Sequence, residues 1–132
     1  MDKVITIREM CDQFQVTART LRFYEDKELI SPIRKGQKRL YTKREITRVK
    51  LILRGKRFGF SLEEIRELLD LYYLGDQQKT QIQRTYDLGN HRLQEMQAQR
   101  KELEESIGEL KERLQAGLEW LQAKQEPQNL EA

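Results

Sequence analysis

The stretch Thr17–Tyr41, TARTLRFYEDKELISPIRKGQKRLY, carries the pattern that decides the fold. Thr17 is a residue type that caps helix N-termini, and it opens a predicted helix that runs toward Leu29. Arg19 and Arg22 lie three residues apart, so they share one face of this helix. Arginine binds guanine edges and phosphates bidentately, although an ordinary solvated helix also carries exposed arginines. The flanking sequence decides between these two interpretations.

A small hairpin is predicted directly after this helix. The pair Ser31-Pro32 stops helical continuation. Two short extended segments, 33–34 and 39–41, then flank Lys35-Gly36-Gln37-Lys38, which places glycine in the turn. The tip of this hairpin is almost entirely basic, and a basic hairpin that follows a helix-turn-helix is called a wing.

Another helix is predicted just before Thr17. The sequence Thr6-Ile-Arg-Glu9 fits the capping box, in which the hydroxyl and the carboxylate each accept a hydrogen bond from an otherwise unpaired backbone N–H. Only Gln15 and Val16 separate this helix from Thr17, so the two helices form a helix-turn-helix. The apolar stripe of the first helix consists of Ile7, Met10, Cys11 and Phe14.

Two further helices complete the predicted domain. Thr42-Lys-Arg-Glu45 and Ser61-Leu-Glu-Glu64 fit the same capping box. We expect the first of these helices to end near Gly59 and the second at Gly75. The apolar residues suffice for one small shared core, so we predict a winged helix-turn-helix DNA-binding domain over residues 1–75.

Residues 76–124 are predicted to form one long dimerisation helix, followed by a flexible polar tail over 125–132. Steps of four and three residues give a seam in which nine of twelve positions are apolar, and a lone helix cannot bury such a seam. The heptads leave parallel and antiparallel pairing open. The seam positions are Ile82, Tyr86, Gly89, Leu93, Met96, Arg100, Leu103, Ile107, Leu110, Leu114, Gly117 and Leu121. The candidate dimerisation residues among them are Ile82, Leu93, Met96, Leu103, Ile107, Leu110, Leu114 and Leu121.

The charge of the 132-residue chain is unevenly distributed. Residues 1–75 contain 17 Lys and Arg against 11 Asp and Glu, whereas residues 76–132 contain 8 against 11. A basic first half predicts nucleic acid as a partner, because neutralised phosphates release counterions. A solvated basic surface without a partner is the alternative interpretation.

Several classes of protein are disfavoured by what the sequence contains. Cys11 is the only cysteine, so we expect no intrachain disulfide and no thiolate metal site or iron–sulfur cluster. His91, the only histidine, has no obvious ligand partner. The chain has no apolar run long enough to span a bilayer and no secretory signal, which predicts a cytoplasmic protein that does not contact membranes. With no catalytic constellation or phosphate-binding glycine loop, we expect no enzyme.

Three segments together resemble the mercury-resistance-regulator (MerR) family. The stretch Thr17–Ile30 resembles the family's recognition helix, Arg39-Leu-Tyr41 resembles the end of its wing, and Leu51–Ser61 resembles the junction between its later helices. The resemblance runs from about residue 4 to residue 73, which is more than half of the chain. The long heptad helix resembles the family's dimerisation element.

The resemblance implies an antiparallel coiled-coil homodimer that binds a palindrome between the two hexamers of a promoter. An effector then makes the dimer bend and untwist the spacer, so that RNA polymerase engages both hexamers; this mode of recognition uses the deformability of DNA. The residues implied to contact DNA are Thr17, Arg19, Arg22 and Tyr24 in the recognition helix, Arg34, Lys38, Arg39 and Tyr41 in the wing, and Arg54 and Arg57 at the junction. From the residues alone, Tyr24 is also a candidate core residue.

The effector is predicted only by class. The segment Leu51–Leu71 resembles the subgroup that controls the breakdown of branched-chain amino acids and fatty acids, which implies an acyl-coenzyme A or a related small organic molecule. Tyr72-Tyr73-Leu74 and Trp120 are candidate lining residues for it, although both aromatic sites are also explained by packing. No cofactor is expected.

Two other functions are compatible with these elements. A DNA-architectural or excisionase-like protein uses the same winged helix and senses nothing. A coiled-coil interaction protein binds another protein through its basic head and shows no strong, salt-dependent affinity for DNA.

Overall fold

The computed structural model describes residues 3–71 and 78–125, and most of them are helical. The chain divides into two compact units, one that ends at Arg92 and one that begins at Leu93. In chain order the elements are β1 (Ile5–Thr6), α1 (Ile7–Phe14), α2 (Ala18–Asp26), β2 (Ile33–Lys35), β3 (Lys38–Tyr41), α3 (Lys43–Phe58), α4 (Leu62–Leu71) and α5 (Lys79–Gln125).

Two of the three predicted capping boxes are confirmed. At the start of α1, the Thr6 hydroxyl accepts a hydrogen bond from the Glu9 backbone N–H at 3.1 Å, and the Glu9 carboxylate accepts one from the Thr6 N–H at 2.9 Å. Before α4, Ser61 and Glu64 make the same reciprocal pair at 2.8 and 3.1 Å. Each pair satisfies backbone donors that the first helical turn leaves unpaired.

The capping box predicted at Thr42 is wrong. Thr42 occupies the N-cap of α3 but makes no side-chain capping hydrogen bond. The Glu45 side chain is buried instead, and its carboxylate accepts a hydrogen bond from the Ser31 backbone N–H at 3.0 Å. Glu45 therefore fastens the segment between α2 and the hairpin to α3, a long-range contact that the local motif does not reveal.

The predicted wing is present, and a further strand extends it. The sheet has three antiparallel strands in the order β1-β3-β2. The two-residue strand β1 pairs Ile5 with Tyr41 and so connects the start of α1 to the hairpin. We did not predict β1, because two residues are too few to show the alternation of a strand.

One apolar core joins β1, α1, α2, β3, α3 and α4. Its fully buried side chains include Met10 of α1, Leu21 of α2, Val49 and Ile52 of α3, and Leu69 of α4. Cys11 packs against the same core, as its position on the stripe of α1 predicts. The core therefore sets the position of α2 against α1, α3 and the hairpin.

The recognition helix is shorter than its sequence suggested. It ends at Asp26, and Glu28 adopts a left-handed backbone conformation with φ of 61°. This turn brings Leu29 into the core, where its carbonyl accepts a hydrogen bond of 2.6 Å from Nε of the buried Arg48. Burial of Leu29 thus ends the helix three residues before the predicted end.

The first unit includes the beginning of the long helix α5. Nε2 of the buried Gln81 donates to the Leu68 carbonyl of α4 at 2.7 Å, and Leu88 is also buried. The compact unit consequently extends to Arg92, whereas the sequence placed the boundary after residue 75. The predicted helix stop at Gly75 and the tail residues 126–132 lie outside the described residues.

The second unit is the remainder of α5, from Leu93 to Gln125. Every described residue in it is solvent-exposed, including the large apolar side chains of the seam. Across residues 3–71 and 78–125, no helix combines the length and the apolar character that crossing a bilayer requires.

Candidate nucleic-acid interface

The two ends of the helix-turn-helix turn are fixed by local hydrogen bonds. Gln15 adopts a left-handed conformation at the end of α1, with φ of 55°, and its backbone N–H donates to the Cys11 carbonyl. Thr17 is extended, and its hydroxyl accepts a hydrogen bond of 3.1 Å from the Thr20 backbone N–H. The predicted N-cap at Thr17 is confirmed, and the reversal between α1 and α2 needs only three residues.

The orientation of α2 separates an apolar face from a basic face. Leu21 and Tyr24 are buried in the core, whereas Thr17, Arg19 and Arg22 are exposed. Because residues three or four apart share one side of a helix, burying Leu21 and Tyr24 turns the two arginines outward. The structure thus presents the predicted contact residues of α2, except Tyr24, on one exposed surface.

The wing concentrates like charges on neighbouring strands. Its tight turn places Gly36 at φ of 60°, as two-residue hairpin turns with glycine in the first central position require. The register sets Lys35 opposite Lys38 and Arg34 opposite Arg39. Like charges in directly opposed positions destabilise a hairpin. An anionic partner such as a phosphate backbone compensates for this repulsion.

A carboxylate of the recognition helix relieves one of the two like-charge pairs. Glu25 accepts a hydrogen bond of 2.8 Å from Arg39 Nε, and it lies 3.6 Å from Nη1 of Arg34. Neither Lys35 nor Lys38 is in an ion pair with any residue that the structure describes. Glu25 therefore ties the base of the wing to α2 and leaves the tip positively charged. The sequence analysis did not predict this role of Glu25. A single acidic residue directly after Tyr24, within a basic segment, was the feature that could have indicated it.

The junction between α3 and α4 is held by α5. Helix α3 ends at Phe58 and is capped by Gly59, whose φ of 86° is left-handed, and Nε of Arg92 donates to the Phe58 carbonyl at 2.6 Å. A guanidinium at the C-terminus of a helix complements the negative end of its dipole. The predicted contact residues Arg54 and Arg57 are exposed on the last turns of α3, which leaves them accessible to a DNA backbone.

Two predicted contact residues are core residues in the structure. Tyr24 is 1% exposed and Tyr41 is 0% exposed. The expected contact between Tyr41 and DNA disagrees with the structure, because β3 turns the Tyr41 side chain toward the core and not toward solvent. The ring of Tyr24 packs as the alternative interpretation predicted, with Lys56 Nζ 5.7 Å from its centroid.

The Tyr41 hydroxyl is an unusual feature of this core. It is buried and makes no hydrogen bond within the described part of the chain. Burial raises the pKa of Tyr41 above its ordinary value of 10.0, and Glu25 acts in the same direction. The phenol is thus held in its neutral form beneath the wing.

A cavity of about 420 Å³ lies in the first unit between α3, α4 and the first turns of α5. Its wall is mainly apolar, and Arg54, Gln81 and Thr85 are among the polar residues that line it. The lining residues are Leu51, Arg54, Gly55, Phe58, Phe60, Ile65, Leu68, Leu69, Gln81, Ile82, Thr85 and Tyr86.

The candidate lining residues for an effector lie in two places, and neither tests the prediction. Tyr72-Tyr73-Leu74 lies outside the described residues, and Trp120 is 60% exposed on the second unit. Among residues 3–71 and 78–125, no three histidine, cysteine or acidic side chains are close enough together to hold a metal ion. The absence of a cofactor stays a prediction.

Two family models match the chain. The model described as "MerR HTH family regulatory protein" matches residues 5–71, and the model described as "MerR, DNA binding" matches residues 46–113. Together they cover the recognition helix, the wing, the junction and much of α5.

Individual regulators show the same similarity. The HTH-type transcriptional regulator ZntR of Escherichia coli K12 is 36% identical over 100 residues, which are 74% of this chain and 70% of ZntR. HmrR of Rhizobium leguminosarum bv. viciae is 31% identical over 102 residues, covering 76% of this chain and 77% of HmrR. These relatives are named as transcriptional regulators, which agrees with the prediction that the chain is not an enzyme.

Solved structures share the fold. A MerR family transcriptional regulator from Bacillus cereus matches with a TM-score of 0.62 at 21% identity, over 98% of this chain and 88% of that one. HiNmlR, described as a MerR family regulator lacking the sensor domain and bound to promoter DNA, matches with a TM-score of 0.63 at 22% identity, over 92% and 94%.

Proposed function

Because this chain belongs to the MerR family of DNA-binding transcriptional regulators, we propose that it acts as a homodimer on an inverted-repeat operator within a promoter spacer. In this proposal an effector makes the bound dimer distort the DNA, and RNA polymerase responds only through the altered promoter. Distortion of this kind is read as an energy that depends on the sequence being deformed.

The observation that carries the proposal is the joint basic surface of α2 and the wing. Arg19 and Arg22 are exposed on α2, and the wing tip exposes Lys35 and Lys38 in directly opposed positions. Glu25 connects the two elements, so they meet a ligand as one unit. A helix with two outward arginines suits a major groove, and a basic hairpin beside it suits the adjoining phosphates.

The second unit supports the homodimer. Its seam exposes Leu93, Met96, Leu103, Ile107 and Leu110, as well as Leu114 and Leu121 further along. An exposed apolar stripe that continues along one face of a helix marks an interaction surface. A second copy of the same helix buries the stripe by heptad packing, and the resulting two-fold symmetry predicts an inverted repeat in the operator.

For the effector, we propose a chemical class and not a particular compound. We propose a small organic molecule, with an acyl-coenzyme A as the first compound to test. Adding it to a dimer already bound to the promoter is expected to change transcription without releasing the protein from DNA.

Footprinting on the promoter that adjoins the protein's own gene tests the function. We expect protection of an inverted repeat between the promoter hexamers, weakening steeply with salt because each neutralised phosphate releases a counterion. A matched pair of variants, Lys38→Ala in the wing and Lys101→Ala on α5, separates the proposed interface from a general loss of positive charge. Only the wing variant is expected to weaken protection. Uniform protection points to an architectural protein, and no protection points to a partner protein.

A further inference from the structure

We infer that Phe23 of α2 recognises a thymine of the operator, because its ring packs against the C5 methyl group of that base in the major groove. The inference rests on the proposed function and deepens it, since it assigns a base to a residue outside the expected set of DNA contacts. Three features carry it, namely the place of Phe23 on α2, the charges around its ring, and the contacts that fix its position.

Phe23 lies on the side of α2 that faces away from the core. Leu21 and Tyr24 are buried and so define the inner side of the helix. At about 100° per residue, Arg19, Arg22 and Phe23 all lie within roughly 50° of the opposite direction. Phe23 is 41% exposed, which is unusual for so large an apolar side chain on a helix of the core domain. Its ring therefore belongs to the same surface as the two arginines that are expected to contact DNA.

The charges around Phe23 distinguish it from other exposed apolar residues. A single exposed apolar side chain is ordinary on a protein surface and needs no partner. Phe23, however, has Arg19 one helical turn before it and Lys27 one turn after it, and Lys27 Nζ lies 5.7 Å from the centroid of the ring. Cations at both ends of this surface attract the phosphates of a DNA backbone, and such contacts set the position of a helix while other side chains read the bases. The ring is thus placed where a base edge is expected.

Contacts within the first unit fix the position of the ring before DNA binds. The ring of Phe23 lies beside that of the buried Tyr24, with centroids 6.0 Å apart and planes tilted by 55°. Arg66 of α4 donates a hydrogen bond to the Lys27 carbonyl and so attaches the end of α2 to α4. Because these contacts already restrict Phe23, little side-chain entropy is lost when its ring packs against a base.

The chemistry of the ring determines which base it recognises. A phenylalanine side chain has no hydrogen-bond donor or acceptor, so it contributes only apolar contact. In the major groove, thymine presents an apolar group, its C5 methyl, whereas adenine, guanine and cytosine present hydrogen-bonding groups. Phe23 therefore favours thymine, while the neighbouring arginines bind guanine edges or phosphates. Burial of one methyl group corresponds to about a four-fold change in affinity.

Replacing thymine with uracil, which lacks only the C5 methyl group, tests the contact. In the operator that footprinting locates, each thymine of one half-site is replaced in turn by deoxyuridine, and the affinity of the protein is titrated. For the wild type we expect about a four-fold loss at one thymine. Phe23→Ala is expected to bind the unmodified operator more weakly and to bind it no more tightly than the uracil operator, because the same interaction is not lost twice.

A second set of operators restores the methyl group without restoring thymine. The sensitive base pair is changed so that cytosine, and then 5-methylcytosine, replaces thymine. Wild-type protein is expected to bind the 5-methylcytosine operator several-fold more tightly than the cytosine operator, whereas Phe23→Ala is expected to bind both equally.

Val4→Ala is the matched control for the loss of an exposed apolar side chain. Val4 is 40% exposed, close to the value for Phe23, and it lies outside α2. This variant is expected to bind the operator as the wild type does and to keep the preference for thymine over uracil. Phe23→Gln replaces Phe23→Ala in all titrations if circular dichroism shows that the alanine variant loses helix.

Three results contradict the contact between Phe23 and thymine. The first is a wild-type protein that binds every deoxyuridine operator as tightly as the unmodified one. The second is a Phe23→Ala protein that still loses affinity when the same thymine becomes uracil, because another residue then contacts the methyl group. The third is a Phe23→Ala protein with the operator affinity of the wild type. A wild-type protein that protects no site in the footprint instead refutes the proposed function itself.

Discussion

Arg39 of the wing donates a hydrogen bond of 2.8 Å from Nε to the Glu25 carboxylate of the recognition helix. The two side chains are about three-quarters buried, so solvent screens this ion pair less than a surface pair. The contact holds the two elements of the proposed DNA interface in one geometry, and such an interface depends on fixed spacing.

Replacing Glu25 with glutamine tests this link. We expect a loss of about 1 kcal/mol in the free energy of unfolding, faster amide exchange in β2 and β3, and weaker operator binding. Urea denaturation, hydrogen exchange and a binding titration measure the three effects. Glu63→Gln on the exposed face of α4 is the control. Tighter DNA binding by Glu25→Gln would mean that the carboxylate only repels phosphate.

Replacing Arg22 with alanine tests base recognition by α2. The change is expected to cost on the order of 1–3 kcal/mol of specific binding if the guanidinium contacts a base edge. Titrated footprints measure this affinity, and Arg113→Ala on α5 controls for the lost charge. An unchanged affinity would remove Arg22 from the interface.

Replacing Leu103 with glutamate tests the dimer. A charge at the centre of the seam is buried against the partner in the dimer and solvated in the monomer, so we expect a monomer in sedimentation equilibrium. Ala98→Glu adds the same charge on the outer face of the helix and should leave the dimer intact. A dimeric Leu103→Glu protein would show that the seam is assigned incorrectly.

Replacing Gly59 with alanine tests the junction that α5 holds. A left-handed φ of 86° costs a residue with a Cβ about 1–2 kcal/mol, and the added Cβ lies 2.5 Å from Nη2 of Arg92. We expect a loss of at least that size in thermal or urea unfolding. Gly108→Ala, where a Cβ meets nothing within 4 Å, should be neutral or stabilising. Equal losses of stability in the two variants would contradict the requirement for glycine at this junction.

Replacing Tyr41 with phenylalanine tests whether its hydroxyl reaches DNA. The change removes a buried, unpaired hydroxyl, so we expect stability to rise by about 1 kcal/mol and operator affinity to stay the same. A fall in affinity would return Tyr41 to the interface.

The Tyr41→Phe variant also tests how the stability of the protein depends on pH. The pKa of Tyr41 is raised in the folded state, so folding opposes loss of the proton. As the pH rises above about 10, the unfolded chain ionises first and the wild type loses stability. Tyr41→Phe lacks this titration, and its stability should fall less over that range in urea denaturation at several pH values.

The sequence by itself determined the helix starts, the wing and the seam, because each depends on residues close together in the chain. Thr6 with Glu9, Thr17 with Thr20, and Ser61 with Glu64 act within one helical turn. Hydrophobic periodicity is likewise a local property, and it was enough to place α5 and its exposed stripe.

Tertiary structure decided what depends on long-range packing. Glu45 accepts a hydrogen bond from the Ser31 backbone N–H and forms no capping box with Thr42. Tyr41 is buried in the core, whereas Arg19 and Arg22 are exposed. Glu25 accepts a hydrogen bond from Arg39, which is 14 residues away in the sequence. In each case the free energy of a local hydrogen bond or an exposed position competes with that of burial against distant elements. Those elements become neighbours only when the chain has folded.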